Sequence, residues 1–169
     1  MVISHTHRIS DDAAACEAHS SRCACLSAVN VDEERSGMTK REAIFPANQH
    51  ALYEEHGYSA AIRSGDLLFV SGQVGSRSDG TPEPDFERQV RLAFENLKAT
   101  LDAAGCTFDD IVDVTTFHTD PENQFPTIMA VKQTLFSEPP YPNWTAIGVN
   151  WLAGFDFEIK VIARIPAKA

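Results

Sequence analysis

Positive charge is scarce in this chain. Its 169 residues carry 14 Lys and Arg against 24 Asp and Glu, a formal net charge of −10. Nucleic acid and anionic membrane both call for a basic surface. Neither is expected as a partner. Long apolar runs are missing too: none approaches the roughly 20 residues that span a bilayer. The N-terminus has no basic region followed by an apolar stretch, so it does not read as a secretory signal. Cysteine is sparse, and three of the four cysteines, Cys16, Cys23 and Cys25, fall within the first 37 residues. Cys106 is the fourth and reads as structural. That distribution excludes a disulfide framework and points to a reducing cytoplasm. Internal repeats and low-complexity tracts are absent.

What is present begins at Tyr58-Ser-Ala-Ala-Ile-Arg-Ser-Gly-Asp-Leu-Leu-Phe-Val-Ser-Gly-Gln-Val-Gly75. The pattern predicts a strand, a tight turn at Ser64-Gly65-Asp66 and a second strand. Gly65 supplies a turn conformation that other residues resist. Leu67–Val70 is a continuous apolar run, as expected of a strand buried on both faces. Ser71-Gly72-Gln73 then places a hydroxyl, a bare backbone and an amide at the strand end.

Arg77–Pro84 reads as a loop. Asp85 is a plausible N-cap. From Phe86 to Ala104 apolar residues recur at three and four, a helix with one apolar face, and Gly105 stops it. Ile111–His118 alternates: Val112, Val114, Thr116 and His118 on one face, Asp113, Thr115 and Phe117 on the other. A second helix is predicted from about Gln124, because Pro126 fits only a first turn, to about Phe136. Its core residues are Phe125, Ile128, Met129 and Leu135. Two closing strands, Thr145–Trp151 and Phe155–Ile165, look too apolar on both sides to face water. The order β-β-α-β-α-β-β, with a further short strand near Ile44, implies an α+β layer fold with both helices on one face of a mixed sheet.

Met1–Gly37 differs in composition and has little apolar periodicity. It is expected to be an appended or mobile extension, with residues 38–169 as the domain. Cys16-x-x-His19-x-x-x-Cys23-x-Cys25 fits no standard structural zinc spacing, so no metal is expected.

The hairpin sequence resembles the opening signature of the YjgF/RidA (L-PSP) family. Asn96-Leu97-Lys98, Ala103-Ala104-Gly105, Asp110–Phe117 and Phe157–Ala163 follow in that family's order, so the similarity covers about Ala43 to Pro166. The resemblance implies a chorismate-mutase-like fold and homotrimers with a cleft at each subunit interface. It implies cofactor-free hydrolysis of enamines or imines to a carbonyl compound and ammonia. It places Tyr58 and Glu158 in catalytic roles and Ser71, Gly72 and Thr145 around the substrate. The family's carboxylate-binding arginine does not carry over: Pro142-Asn143-Trp144-Thr145 puts Trp144 there.

An indole cannot neutralise a carboxylate, so an altered substrate is expected, larger or more aromatic, with Trp144 as a stacking surface. Arg63 or Arg77 would replace the charge if either entered the cleft. The alternative is a trimer that holds a small metabolite or partner without turnover. The residues also carry plainer readings. Tyr58 and the Ser71-Gly72 pair would serve packing alone. Trp144 and Trp151 would be core or interface residues. His118 is expected to be a solvated turn residue, with a replacement acid–base as the other reading. Glu158, between Phe157 and Ile159, is the hardest to assign to packing, because an unpaired carboxylate in an apolar strand is costly unless it faces water or a site.

Overall fold

A computed structural model describes residues 41–167. The expected N-terminal extension and its Cys/His cluster lie outside these residues. Strands β1 (Glu42–Ile44), β2 (Ala61–Ser64), β3 (Leu67–Val74), β4 (Ile111–His118), β5 (Asn143–Gly148) and β6 (Phe157–Arg164) form one sheet. Its spatial order is β1-β2-β3-β6-β4-β5. All neighbours are antiparallel except β4 and β5. The helices are α1 (Leu52–Glu55), α2 (Phe86–Ala103) and α3 (Pro121–Leu135). No helix among the described residues is long and apolar enough to cross a membrane.

The β2–β3 hairpin closes at Gly65, whose φ of 65° is left-handed. Helix α2 starts where expected: the Asp85 carboxylate accepts the Arg88 N–H at 3.0 Å, a cap worth about 1 kcal/mol. Val90, Ala93, Phe94, Leu97 and Leu101 bury against Leu68, Val70, Phe157, Ile159 and Val161 of the sheet. Each large side chain removed from water there contributes roughly 1.5–3 kcal/mol. Ile128 and Val131 of α3 join the same core, so the two long helices cover one face.

Helix α3 begins at Pro121 and not near Gln124. A proline at the first helical position loses no backbone bond, and the Gln124 N–H already reaches the Asp120 carbonyl at 3.0 Å. Pro126 therefore sits in the helix interior. The inward face is Gln124, Ile128 and Val131, whereas Phe125 is exposed and Met129 and Leu135 are only partly buried.

Two β-bulges correct the strand readings. Ile111 pairs with Ala163 and Asp113 with Ile162, so Val112 is an extra residue. Ile111 turns inward, and Val112 is left 46% exposed, not on the face of Val114 and Thr116. The second bulge lies in β3, where Val70 opposes Val161 but Gln73 opposes Ile159. Ser71 and Gly72 occupy the extra length. Nor is β3 buried on both faces: Leu68 and Val70 are fully covered while Phe69 is 41% exposed. The helices cover only one side. The closing strands follow the same rule. β6 points Phe157, Ile159, Val161 and Ala163 inward and Glu158, Lys160, Ile162 and Arg164 outward. β5 is an edge strand, exposed along most of its length and shorter than expected.

Helix α2 also fixes the loops beyond β3. Asn96 donates to the carbonyls of Val74 and Ser76 at 2.9 and 3.1 Å. Gln89, 2% exposed, donates to the Glu83 carbonyl at 2.8 Å and accepts the Asp156 N–H at 2.7 Å. Gly75 lies flat on Gln89; a Cβ there would overlap the Gln89 backbone carbonyl and its side chain. Backbone does not yield as a side-chain tip does. Gly75→Ala is expected to destabilise the fold by about 1–3 kcal/mol, read as a lower urea midpoint at unchanged slope.

Candidate functional site

The bulge in β3 meets Glu158 of β6. Val74 pairs with Glu158, and the missing side chain at Gly72 leaves the space that the Glu158 carboxyl fills; a Cβ on Gly72 would overlap its Oε1 and Cδ. Tyr58 comes to the same place from the turn after α1. Tyr58, Gly72 and Glu158 line one cleft of ≈ 270 Å³ together with Trp151, Leu152 and Phe155 of the β5–β6 loop.

The burial of this corner explains its electrostatics. The Glu158 carboxyl is pushed above the ordinary carboxylate value by burial, and the Lys160 charge offsets part of that. Burial is also the main reason the Tyr58 phenol rises to about 12, with Tyr53 and Glu158 adding to it. Tyr58 is therefore a neutral hydrogen-bond donor at physiological pH, while the Glu158 carboxyl holds a proton more tightly than an ordinary carboxyl does.

Beneath the cleft the polar groups are bonded in sequence. Tyr53, 3% exposed, donates to Gln73 Oε1 at 2.9 Å, and Gln73 Nε2 donates to the Ser71 carbonyl at 3.0 Å. The Ser71 hydroxyl is turned back to the Ser59 carbonyl at 2.7 Å. Tyr53 packs edge-on to Tyr58, with ring centroids 5.1 Å apart. Helix α1, unforeseen in the sequence, is what delivers Tyr53 to this position.

Trp144 and Thr145 are elsewhere. Trp144 pairs with the core residue Val114 and packs on the helix side of the sheet, edge-on to Phe136. Its indole N–H donates to Thr116 Oγ1 at 3.2 Å, and Lys132 Nζ lies 4.2 Å from the ring centre. Glu158 points to the other side of the sheet, so within one chain the two share no cleft. Thr145 lies exposed on β5, opposite Thr115. Arg63 is at the far end of the sheet, bonded to the Gly65 carbonyl at 3.2 Å. Arg77 is bound to Glu83 at 3.0 Å. Neither lines the cleft.

His118 is not a solvated turn residue. It is 1% exposed, covered by Phe125 and Phe157, with Nε2 2.9 Å from Thr116 Oγ1. Burial lowers its pKa and keeps it neutral. The early start of α3 is the reason: it lays Phe125 over the end of β4. Cys106 is buried, its thiol pushed up mainly by burial. No group of metal-ligating side chains occurs among the described residues.

The sequence model of the family described as Endoribonuclease L-PSP matches residues 48–165. The chain belongs to that family, the YjgF/RidA group. It is 80% identical over 129 residues to the RutC family protein YjgH of Escherichia coli, covering 76% of this chain and 98% of that one. The solved structure of a protein YjgH superposes with a TM-score of 0.75 at 78% identity, covering 77% of this chain and all of that one. A 2-iminobutanoate/2-iminopropanoate deaminase of Dermatophagoides farinae is 32% identical over 94 residues, 54% of this chain and 72% of that protein. The structure of Escherichia coli TdcF with bound serine matches at a TM-score of 0.59 and 35% identity, covering 63% of this chain and 87% of that one. The fold is therefore the one the hairpin signature implies.

The raised Glu158 pKa has a consequence for stability. A carboxyl whose folded value exceeds its unfolded value is harder to ionise in the folded state. Its ionisation thus costs stability as pH rises from the ordinary carboxylate value through the raised one. Glu158→Gln is expected to raise the melting temperature at pH 7. The gain should vanish near pH 4. Calorimetry at both pH values checks the sign.

Proposed function

We propose that this protein is a deaminase that hydrolyses an imine or enamine C–N bond to a carbonyl compound and ammonia, with Glu158 as the base. The observation that carries the reading is the contact of a bare backbone, Gly72, with a carboxylate of raised basicity beside a protonated phenol. Glu158 takes a proton from water as the oxygen attacks the C=N carbon. The proton then passes to nitrogen, the carbinolamine collapses, and ammonia leaves as the carbonyl forms. Tyr58 donates a hydrogen bond to the nitrogen or the developing hydroxyl. A positioned base of this type contributes about 10²–10⁴ in rate. The 2-iminobutanoate/2-iminopropanoate deaminase among the relatives agrees with this chemistry.

The charge pattern argues for a substrate other than small imino acids. No Lys or Arg is among the residues lining the cleft, and Trp144 occupies the position of the family's arginine. Ribonuclease activity, which the family's description names, has little support in a chain of net charge −10. Retention of a metabolite without turnover is the second reading, favoured by the same loss of the arginine.

The test generates imines in situ by oxidising alanine and benzylamine enzymatically and follows their decay. Wild type should accelerate the carboxylate-free benzylamine-derived imine more than the alanine imine. Glu158→Gln and Gly72→Ala should each lose about 10²-fold or more in kcat. No acceleration of any imine would favour the binding reading. Undiminished activity in Glu158→Gln would remove the mechanism.

The oligomer is proposed as a homotrimer. The face of the sheet away from the helices leaves Phe69 and Ile147 exposed, at 41% and 39%, a surface that a second sheet would cover. Packing against a neighbouring copy is also the route by which β5, with Trp144 and Thr145, would reach the cleft of another chain. Light scattering at micromolar concentration should give three times the chain mass. A stable monomer would exclude the shared cleft.

A further inference from the structure

We propose that the Glu158 cleft selects a flat aromatic imine that bears no carboxylate, with Trp151, not Trp144, as the wall on which it stacks. The inference deepens the deaminase reading and rests on it only for the reaction, R–CH=NH plus water giving R–CHO and ammonia.

The first observation is the placement of the two tryptophans. The Trp144 indole is already engaged by Thr116, Phe136 and Lys132. Trp151 is 74% exposed and stands on the rim of the cleft opposite no internal partner among the described aromatic pairs. Leaving so large an apolar ring in water forgoes the gain of burying it, which a bound ring would recover.

The second is that the loop bearing Trp151 is anchored. The Val149 N–H donates to the His118 carbonyl at 2.8 Å, the Phe155 N–H to the Leu152 carbonyl at 2.9 Å, and the Asp156 N–H to Gln89 Oε1 at 2.7 Å. Phe155 is itself 5% exposed and roots the loop. Trp151 thus sits on a support held at both ends, which lowers the ordering cost of stacking.

The third is charge. The lining contributes one carboxylate, one phenol, the His56 imidazole and no Lys or Arg. Lys160 is the next outward residue of β6, exposed and opposite Thr115, beyond the cleft. Within one chain a substrate carboxylate would meet Glu158 with no Lys or Arg between them. An iminium, in contrast, is attracted both by that carboxylate and by the π-face of an indole.

Benzamidine is a stable planar cation with the C–N geometry of such a substrate, and benzoate is its anionic counterpart. Titration calorimetry of the full chain should show benzamidine binding at least about tenfold tighter than benzoate. Trp151→Ala should weaken benzamidine about tenfold, and Trp151→Phe should restore most of it. Melting temperature and mass in solution should be unchanged in both variants, since the side chain is exposed. Benzoate binding as tightly as benzamidine, absence of benzamidine binding at millimolar concentration, or an unaffected Trp151→Ala would each overturn the proposal. So would a loss of oligomer in Trp151→Ala, which would make the residue an interface contact. Trp151-dependent benzamidine binding in a protein that hydrolyses no imine would sink the deaminase reading and leave this one standing.

Discussion

The site depends on one contact, the bare backbone of Gly72 against the Glu158 carboxyl. It exists because β3 carries one residue more than β6 between Val70 and Gln73. That extra length cannot stay flat in the ladder, so it bulges and re-aims the residues beyond it. Gln73 turns inward, where Tyr53 bonds it, and the strand end swings toward β6. Any side chain at position 72 would claim the volume that the carboxylate now uses. The bulge therefore creates the cleft and sets its chemistry together.

The surroundings hold that geometry by polar bonds as well as by apolar packing. Gln89 and Asn96 sit on one helix and bind four backbone groups belonging to the segment after β3 and the turn before β6. Buried amides with their partners in place specify position, because breaking any one bond leaves an unsatisfied group out of reach of water. The same helix provides the apolar face that closes the core. The rigid scaffold and the positioning of the cleft walls are thus one element's work, and the site inherits the stability of the fold.

Burial then tunes the two ionisable groups of the cleft. A half-buried carboxyl near the start of an interior strand loses part of its solvation, which raises its proton affinity. The Tyr58 phenol likewise holds its proton and serves as a donor. One environment thus raises the proton affinity of two groups that line the same cleft.

Much of this was legible along the chain. The Gly65 turn, the 3.6-residue period of α2 with its Asp85 cap, and a charged residue inside the apolar run of β6 each express local physics, and each survives in the fold. The errors were also physical. Val112 was assigned to a face by strict alternation, which a bulge breaks, and Phe69 was expected to be buried with the rest of its apolar run, whereas the helices cover only one side of the sheet. Proline rules placed α3 too late, and with it Phe125 and His118. Trp151 does not belong to the core of its own chain, being 74% exposed there; composition carries no record of exposure. By itself the sequence determined most of the elements, with their caps and turns, since these follow from interactions a few residues apart. Only the tertiary structure decided which face each strand shows, that Glu158 meets Gly72 and Tyr58, and that Trp144 and Arg77 are engaged elsewhere. Those facts arise from strand register and from helices packed over one face, contacts between residues remote in the chain.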